Sequence, residues 1–271
     1  MKIHTLVGLV VVVVQPVASF VSPLTRRHAL WQQGLGSTEI DWLLADDVEI
    51  GTNESTFENM AFLKTDDIKE KLLDLLPRMM GTTEEFRSVE AYVNALEDRY
   101  TPMQTIGFLN LAMNGEWQLL FSTNLAGGPK PNFRLREMYQ SIHSDSFEGK
   151  VENRVLWDLA DNEELKFDAS GTFTAKCSYK INQGARMVLE LDDHVINLAK
   201  GSCVPKDVEG LVSQLHRAMP KELFDPNDHA MDTTYLDTNL RIIRMTGSRF
   251  EGVRNIFIRR GSMEINPTKE R

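Results

Sequence analysis

Thr172-Phe173-Thr174-Ala175-Lys176-Cys177-Ser178-Tyr179-Lys180-Ile181 alternates polar and apolar residues without a break. That period of two marks a β-strand with one face in a core. Phe173, Ala175, Cys177, Tyr179 and Ile181 point one way, and Thr172, Thr174, Lys176, Ser178 and Lys180 the other. Outward from it, Val151, Val155 and Trp157 alternate with Glu152, Arg154 and Asp158, and similar runs occupy 187–191, 231–236, 240–244 and 254–259. Trp117, Leu119 and Phe121 against Gln118 and Ser122 open the series after Gly115, and Gly127-Gly128-Pro129 breaks it. Turn residues separate the runs, Asp237-Thr238-Asn239 being the most hairpin-like. About seven to nine short antiparallel strands with one apolar face predict a closed or nearly closed barrel.

Helical periods precede and interrupt this sheet. Over 66–80, Ile68, Leu72, Leu75, Leu76 and Met79 recur at helical spacing, with Thr65 as the expected cap and Asp66 and Asp67 at the positive N-terminus. Gly81 stops that helix. A second starts at Thr83 and ends before Thr101-Pro102, carrying Phe86, Val89, Tyr92, Val93 and Leu96; a third covers 105–113. Inside the sheet region, between Pro205 and Pro220, the residues Val208, Leu211, Val212, Leu215 and Met219 form an apolar stripe over 206–219. A helix placed between strands plugs a barrel end or covers its mouth; the alternative is direct insertion into a membrane. The chain therefore reads as mainly β with N-terminal helices, an antiparallel β-barrel with a helical insertion, in one domain over 66–262.

What precedes 66 reads as an address. Lys2 and His4, the apolar run 6–14 and then Val17-Ala18-Ser19 have the layout of a signal peptide over 1–19, whose apolar core is too short to span a membrane. From 20 to 38 there is no Asp or Glu, while Ser22, Thr25, Arg26 and Arg27 give a transit-like composition. Together they resemble the two-part plastid leader of algae with secondary plastids; an ordinary signal peptide followed by a pro-segment is the alternative. Over 39–65 the residues Glu39, Asp41, Asp46, Asp47, Glu49, Glu54 and Glu58, interspersed with Gly51 and Asn53, form an acidic linker in which only Ile40-Trp42-Leu43-Leu44 forms an apolar cluster.

Composition narrows the function. The 271 residues are 42% hydrophobic and 25% charged, as in an ordinary globular chain. A net charge of −9 argues against nucleic acid, since phosphate binding rests on clustered Lys and Arg. Two cysteines, Cys177 and Cys203, form no disulfide framework. Motifs of phosphate loops, dinucleotide sites, nucleophile elbows and zinc proteases are absent, so no cofactor, metal or catalytic residue is expected. Asp192-Asp193-His194 cannot converge if it lies on a strand and reads as a turn. His143 near Asp145, His229 near Asp228, and Cys203 lack companions in sequence. In the basic stretch Arg241, Arg244, Arg249, Arg254, Arg259 and Arg260, an arginine turned into the barrel would serve as counter-ion to a carboxylate or phosphate head group. Arg244 and Arg254 are the candidates; solvated strand faces account for the rest.

Two stretches resemble the plastid lipid-associated protein family, the fibrillins of plastoglobules and thylakoids. Asn114-Gly115-Glu116-Trp117-Gln118-Leu119-Leu120-Phe121-Ser122-Thr123 is similar to the family's N-G-x-W-x-L-L-Y-T-T. Thr234-Tyr235-Leu236-Asp237-Thr238-Asn239-Leu240-Arg241-Ile242 is similar to its T-Y-L-D-x-x-L-R-I, with Asn255-Ile256-Phe257-Ile258 on its closing strand. Two departures sit in the last hairpin: Ile243-Arg244-Met245 stands where the family has S-R-G, and Arg254-Asn255 follows a longer loop. The resemblance implies a lipocalin-like barrel that binds lipids, prenylquinones or carotenoids and has no established catalytic residues. The expected function is non-enzymatic binding of an apolar lipid or isoprenoid at a plastoglobule or thylakoid surface, through a peripheral membrane or lipid-droplet contact. The ligand-binding residues expected are Trp117, Phe121, Phe173, Tyr179, Leu211, Leu215, Arg244 and Arg254. Two alternatives stand beside it. One is an enzyme on the same fold, which His194 or Asp168 inside the barrel would favour; the other is an assembly factor for an enzyme of lipid or quinone synthesis.

Overall fold

The computed structural model describes residues 60, 62–124, 132–160, 166–227 and 229–260. The leader, nearly all of the acidic linker, the break at Gly127-Gly128-Pro129 and the domain end expected at 262 lie outside the described residues.

Eight antiparallel strands follow one another in sequence order and close into a barrel. They are β1 (Gly115–Ser122), β2 (Phe133–Asp145), β3 (Glu148–Leu159), β4 (Ala169–Ile181), β5 (Arg186–Leu198), β6 (Ala230–Leu236), β7 (Leu240–Thr246) and β8 (Arg254–Arg259). β8 returns to β1, with Trp117 opposite Arg259 and Ser122 opposite Asn255. The quoted alternation is β4, and its inward side chains Phe173, Ala175, Cys177 and Tyr179 are all buried. At Gly171 a Cβ would stand 2.7 Å from the Trp157 ring, so only glycine lets that indole lie across the neighbouring strand.

β2 is not legible as a strand in the sequence. It is thirteen residues long, but its ladder to β3 shifts between Leu135 and Met138, which breaks the period of two. β5 similarly runs on past Leu191, because the ladder shifts between Lys176 and Cys177: Cys177 faces Leu191 and Lys176 faces Asp193, leaving Asp192 as the extra residue. His194 therefore lies on a strand and not in a turn.

Three helices precede the sheet: α1 (Thr65–Leu75), α2 (Thr83–Glu97) and α3 (Ile106–Met113). Thr65 is not the cap of α1. Lys64 holds that position, and Asp67 reaches back to its backbone N–H at 3.3 Å. Pro77 converts the end of the expected helix into a single 3-10 turn, Leu76–Arg78. α2 begins with a capping box, Thr82 accepting from the Glu85 N–H while Glu85 accepts from Thr82. α1 and α2 lie on the outside of the barrel, where Ile68, Leu72, Leu76, Val89, Val93 and Leu96 pack against Phe121, Tyr235, Leu240, Ile242 and Ile256. β7 is thus apolar on both faces.

Between β5 and β6 the chain forms α4 (Val208–Ala218) and the short α5 (Lys221–Phe224). The two strands pair only through Arg186–Asp232, Met187–Met231 and Val188–Ala230, so this seam is brief and the helices take over beyond it.

Candidate functional site

The lumen is lined by the inward residues of every strand and closed at both ends by helices. At one end, α3 is held by Trp117, whose indole N–H donates to the Met113 carbonyl at 2.8 Å, and by Tyr179, whose hydroxyl donates to Asn110 Oδ1 at 2.5 Å. Arg259 tightens the same end: its guanidinium donates to the carbonyls of Ala112, Asn114 and Thr238 and lies 4.1 Å from the Trp117 ring.

The opposite end is closed by α4 and α5. Asp207 caps α4 by accepting from the Gly210 N–H at 2.7 Å. Leu211, Leu215 and Met219 on α4, with Leu223 and Phe224 beyond it, are buried in the same cluster as Phe173, Trp117, Trp157 and Tyr179. The apolar stripe of α4 is therefore part of the barrel core. Under it, the Phe173 ring lies 5.1 Å from His194, 5.7 Å from His216 and 5.9 Å from Phe224. His194 Nε2 bonds the Phe224 carbonyl at 2.7 Å, and Asn153 Nδ2 donates to the Leu223 carbonyl at 2.6 Å. Both bonds anchor the backbone of α5 in the mouth.

Burial, then the neighbouring His194, lowers the pKa of His216, which favours the neutral form of that ring. Glu222 on α5 is fully buried, accepting from Ser122 at 3.0 Å and Asn124 at 2.7 Å. Desolvation raises its pKa against those hydrogen bonds.

Of the expected ligand-binding residues, Trp117, Phe173, Tyr179, Leu211 and Leu215 come together in the lumen. Three do not. Phe121 lies outside, 6.1 Å from Phe86 of α2, because a bulge at Leu120 shifts the β1–β8 register and turns Phe121 to the other face. Arg244 is outside as well, forked onto Glu97 of α2, and Arg254 donates to Asn94 at 2.9 Å. Both arginines fasten the helices to the barrel and neither enters it.

The arginine inside the barrel is Arg241, which alternates with Arg244 on β7 and shares the inward face with Ile243 and Met245. It is completely buried, and its Nη1 donates to Gln140 Oε1 at 2.5 Å across the lumen. Gln140 Nε2 in turn donates to Asn153 Oδ1 at 2.8 Å. A polar thread thus runs Arg241–Gln140–Asn153 to the α5 backbone. The run Leu240-Arg241-Ile242-Ile243 carried the signal: a lone arginine within a strand whose two faces are both apolar.

Asp168 is exposed, and its carbonyl accepts from the Cys203 N–H at 3.0 Å. His143 is exposed, and both cysteines are free, Cys203 at the surface and Cys177 buried with its pKa pushed up to about 12 by desolvation. His229 bonds the carbonyls of Asn227 and Glu222 and stacks edge-on to Phe250, a packing role. Among the described residues, no group of three or more His, Cys, Asp or Glu side chains is placed to hold a metal ion, and no helix is long and apolar enough to cross a membrane.

Comparison with protein families finds a match to the model described as PAP_fibrillin over residues 66–250, from α1 to just past β7 and short of β8. Comparison with curated proteins finds no match.

Proposed function

The chain belongs to the PAP_fibrillin family, one of plastid lipid-associated proteins, and from that premise we propose that it binds apolar lipids without catalysing their conversion, at plastoglobule or thylakoid surfaces. The observation that carries this reading is the apolar stripe of α4, Leu211, Leu215 and Met219, seated in the mouth of a barrel whose interior is aromatic and aliphatic apart from the Arg241–Gln140–Asn153 thread. That interior is filled by its own side chains, so a ligand takes the space that α4 and α5 occupy. Binding then requires the two helices to swing outward, with Pro205 and Pro220 bounding the hinge segments. Removing Leu211 and Leu215 from water is worth roughly 1.5–3 kcal/mol each, and a lipid tail entering the lumen supplies the equivalent contact.

Exposed Phe167, Val204 and Val208 lie beside this mouth. They give it an apolar rim suited to a lipid surface, where the opened helix keeps its stripe out of water. Apolar ligands include isoprenoids, quinones, carotenoids and acyl lipids. The double variant Leu211→Ser/Leu215→Ser tests the reading by liposome flotation and fluorescent-lipid titration, with circular dichroism to check the sheet. Folded protein with weakened flotation or altered lipid uptake is expected; wild-type behaviour in both assays would show the helix to be plain packing.

A second reading, an enzyme acting on an isoprenoid, draws on the inward-facing His194 paired ring to ring with His216 at 5.6 Å. His194→Ala that abolished conversion of a bound lipid would establish it. A docking role for an enzyme of lipid metabolism would instead show as stoichiometric co-purification.

A further inference from the structure

Arg241 is a cation sealed inside the barrel, and three of its five N–H donors, those on Nε and Nη2, are unused among the described residues. Nη1 reaches Gln140, a neutral acceptor, while Nε and Nη2 have no partner among the described residues. These two nitrogens form one edge of the guanidinium, the side-on edge that takes both oxygens of a carboxylate in two parallel bonds. No Asp or Glu pairs with Arg241 among the described residues: the ion pairs of β7 and β8 run outward to α2, and the buried carboxyl of Glu222 is engaged by Ser122 and Asn124. Phe257 offers its ring at 5.8 Å, a weak substitute for an anion.

A buried cation without a counter-ion is costly, since the desolvation of an ammonium- or guanidinium-sized ion amounts to several kcal/mol even after relaxation. Burial lowers the pKa of Arg241 to about 10, which still leaves it charged at neutral pH. Arg259 adds a second positive charge nearby. The lumen therefore holds a positive potential at its α3 end, at the far side from the mouth that α4 and α5 close.

On the reading that an apolar ligand enters this lumen, we propose that Arg241 receives a carboxylate head group, so the ligand class is a long-chain carboxylic acid, its acid at the α3 end and its tail toward the α4–α5 mouth. Nε–H and Nη2–H bind the two carboxylate oxygens, Gln140 holds the guanidinium plane through Nη1, and the tail lies against Phe173 and Trp157 in the space that α4 vacates.

The test titrates the full chain with laurate, 1-dodecanol and dodecyl phosphate, which share a tail and differ in head group, and follows binding by calorimetry and thermal shift. Wild type should bind laurate about tenfold or more tighter than dodecanol, the scale of charge-assisted hydrogen bonds, and tighter than dodecyl phosphate. Arg241→Met should bind laurate no better than it binds dodecanol. Dodecanol bound as tightly as laurate by wild type would overturn the carboxylate site while leaving lumenal lipid binding intact; so would laurate preference surviving in the variant. Preference for dodecyl phosphate would overturn the carboxylate assignment. Failure of all three to bind would overturn the lumenal reading itself. The wild-type comparison decides the matter even if the variant does not fold.

Discussion

Arg244 of β7 grips Glu97 of α2 with a fork of Nε and Nη2, so the outer helices are fastened to the sheet by a bidentate ion pair at the edge of an apolar interface. Glu97 is largely buried, Arg244 is half-exposed, and Arg254 Nη2 stands 3.9 Å from the same carboxylate. The carboxylate thus neutralises two arginines.

Glu97→Gln should therefore cost more than Arg244→Gln, because it leaves two guanidinium groups facing each other. We expect about 1–2 kcal/mol for Glu97→Gln and less for Arg244→Gln, both discounted for partial exposure. Urea unfolding at low and high salt checks it: the Glu97 effect should shrink as salt screens the pair. The reverse order of the two variants would mean that the fork is idle.

Phe173→Ala should destabilise the protein by about 3–5 kcal/mol, since the ring fills the space between His194, His216 and Phe224. Chemical denaturation measures it. A loss below about 1 kcal/mol, joined to lost lipid binding, would show instead that Phe173 lines a space kept open for ligand.

Glu222 sets a pH dependence. Its folded pKa is raised by burial, so the folded state holds the proton more tightly than the unfolded chain does. The stability linked to that proton is present below the unfolded value and is lost as pH rises through the folded one. Glu222→Gln, which keeps the neutral form, should be more stable than wild type at pH 7, and the gap should narrow as pH falls toward 4.5, the ordinary value for the group. Parallel denaturation curves across that range measure the gap. Wild type more stable than the variant at pH 7 would mean that Ser122 and Asn124 hold the charged form after all.

Much of this arrangement is legible in the sequence. The alternation 172–181 is β4, the apolar stripe 206–219 is α4, and Asp237 closes the β6–β7 hairpin by accepting from the N–H groups of Asn239 and Leu240, each at 2.7 Å. Bulges concealed the rest. Each inserts one residue and reverses the faces after it, which hid β2, cut β5 at Leu191 and sent Phe121 outward. Arg244 and Arg254 do not enter the lumen as expected because β7, like β8, is buried on both faces. Its alternation cannot tell the lumen from the helix-covered face, and the distinction rests on where α1 and α2 dock.

The domain boundary follows from the same docking. Arg99 donates to the carbonyls of Met60 and Leu63 at 2.7 and 2.6 Å, so we place the start of the folded unit near Met60, with the preceding residues dispensable. Limited proteolysis should trim the chain to that point; protection throughout 28–58 would contradict it.

We propose that the barrel carries an apolar lipid beneath α4. Organic extraction of the purified full chain, followed by mass spectrometry, tests it most directly. Wild type should release an apolar lipid in near-stoichiometric amount, and Leu211→Ser/Leu215→Ser, folded by circular dichroism, should release markedly less or a different set. Lipid at only the level recovered from an unrelated soluble protein purified in parallel would contradict the account.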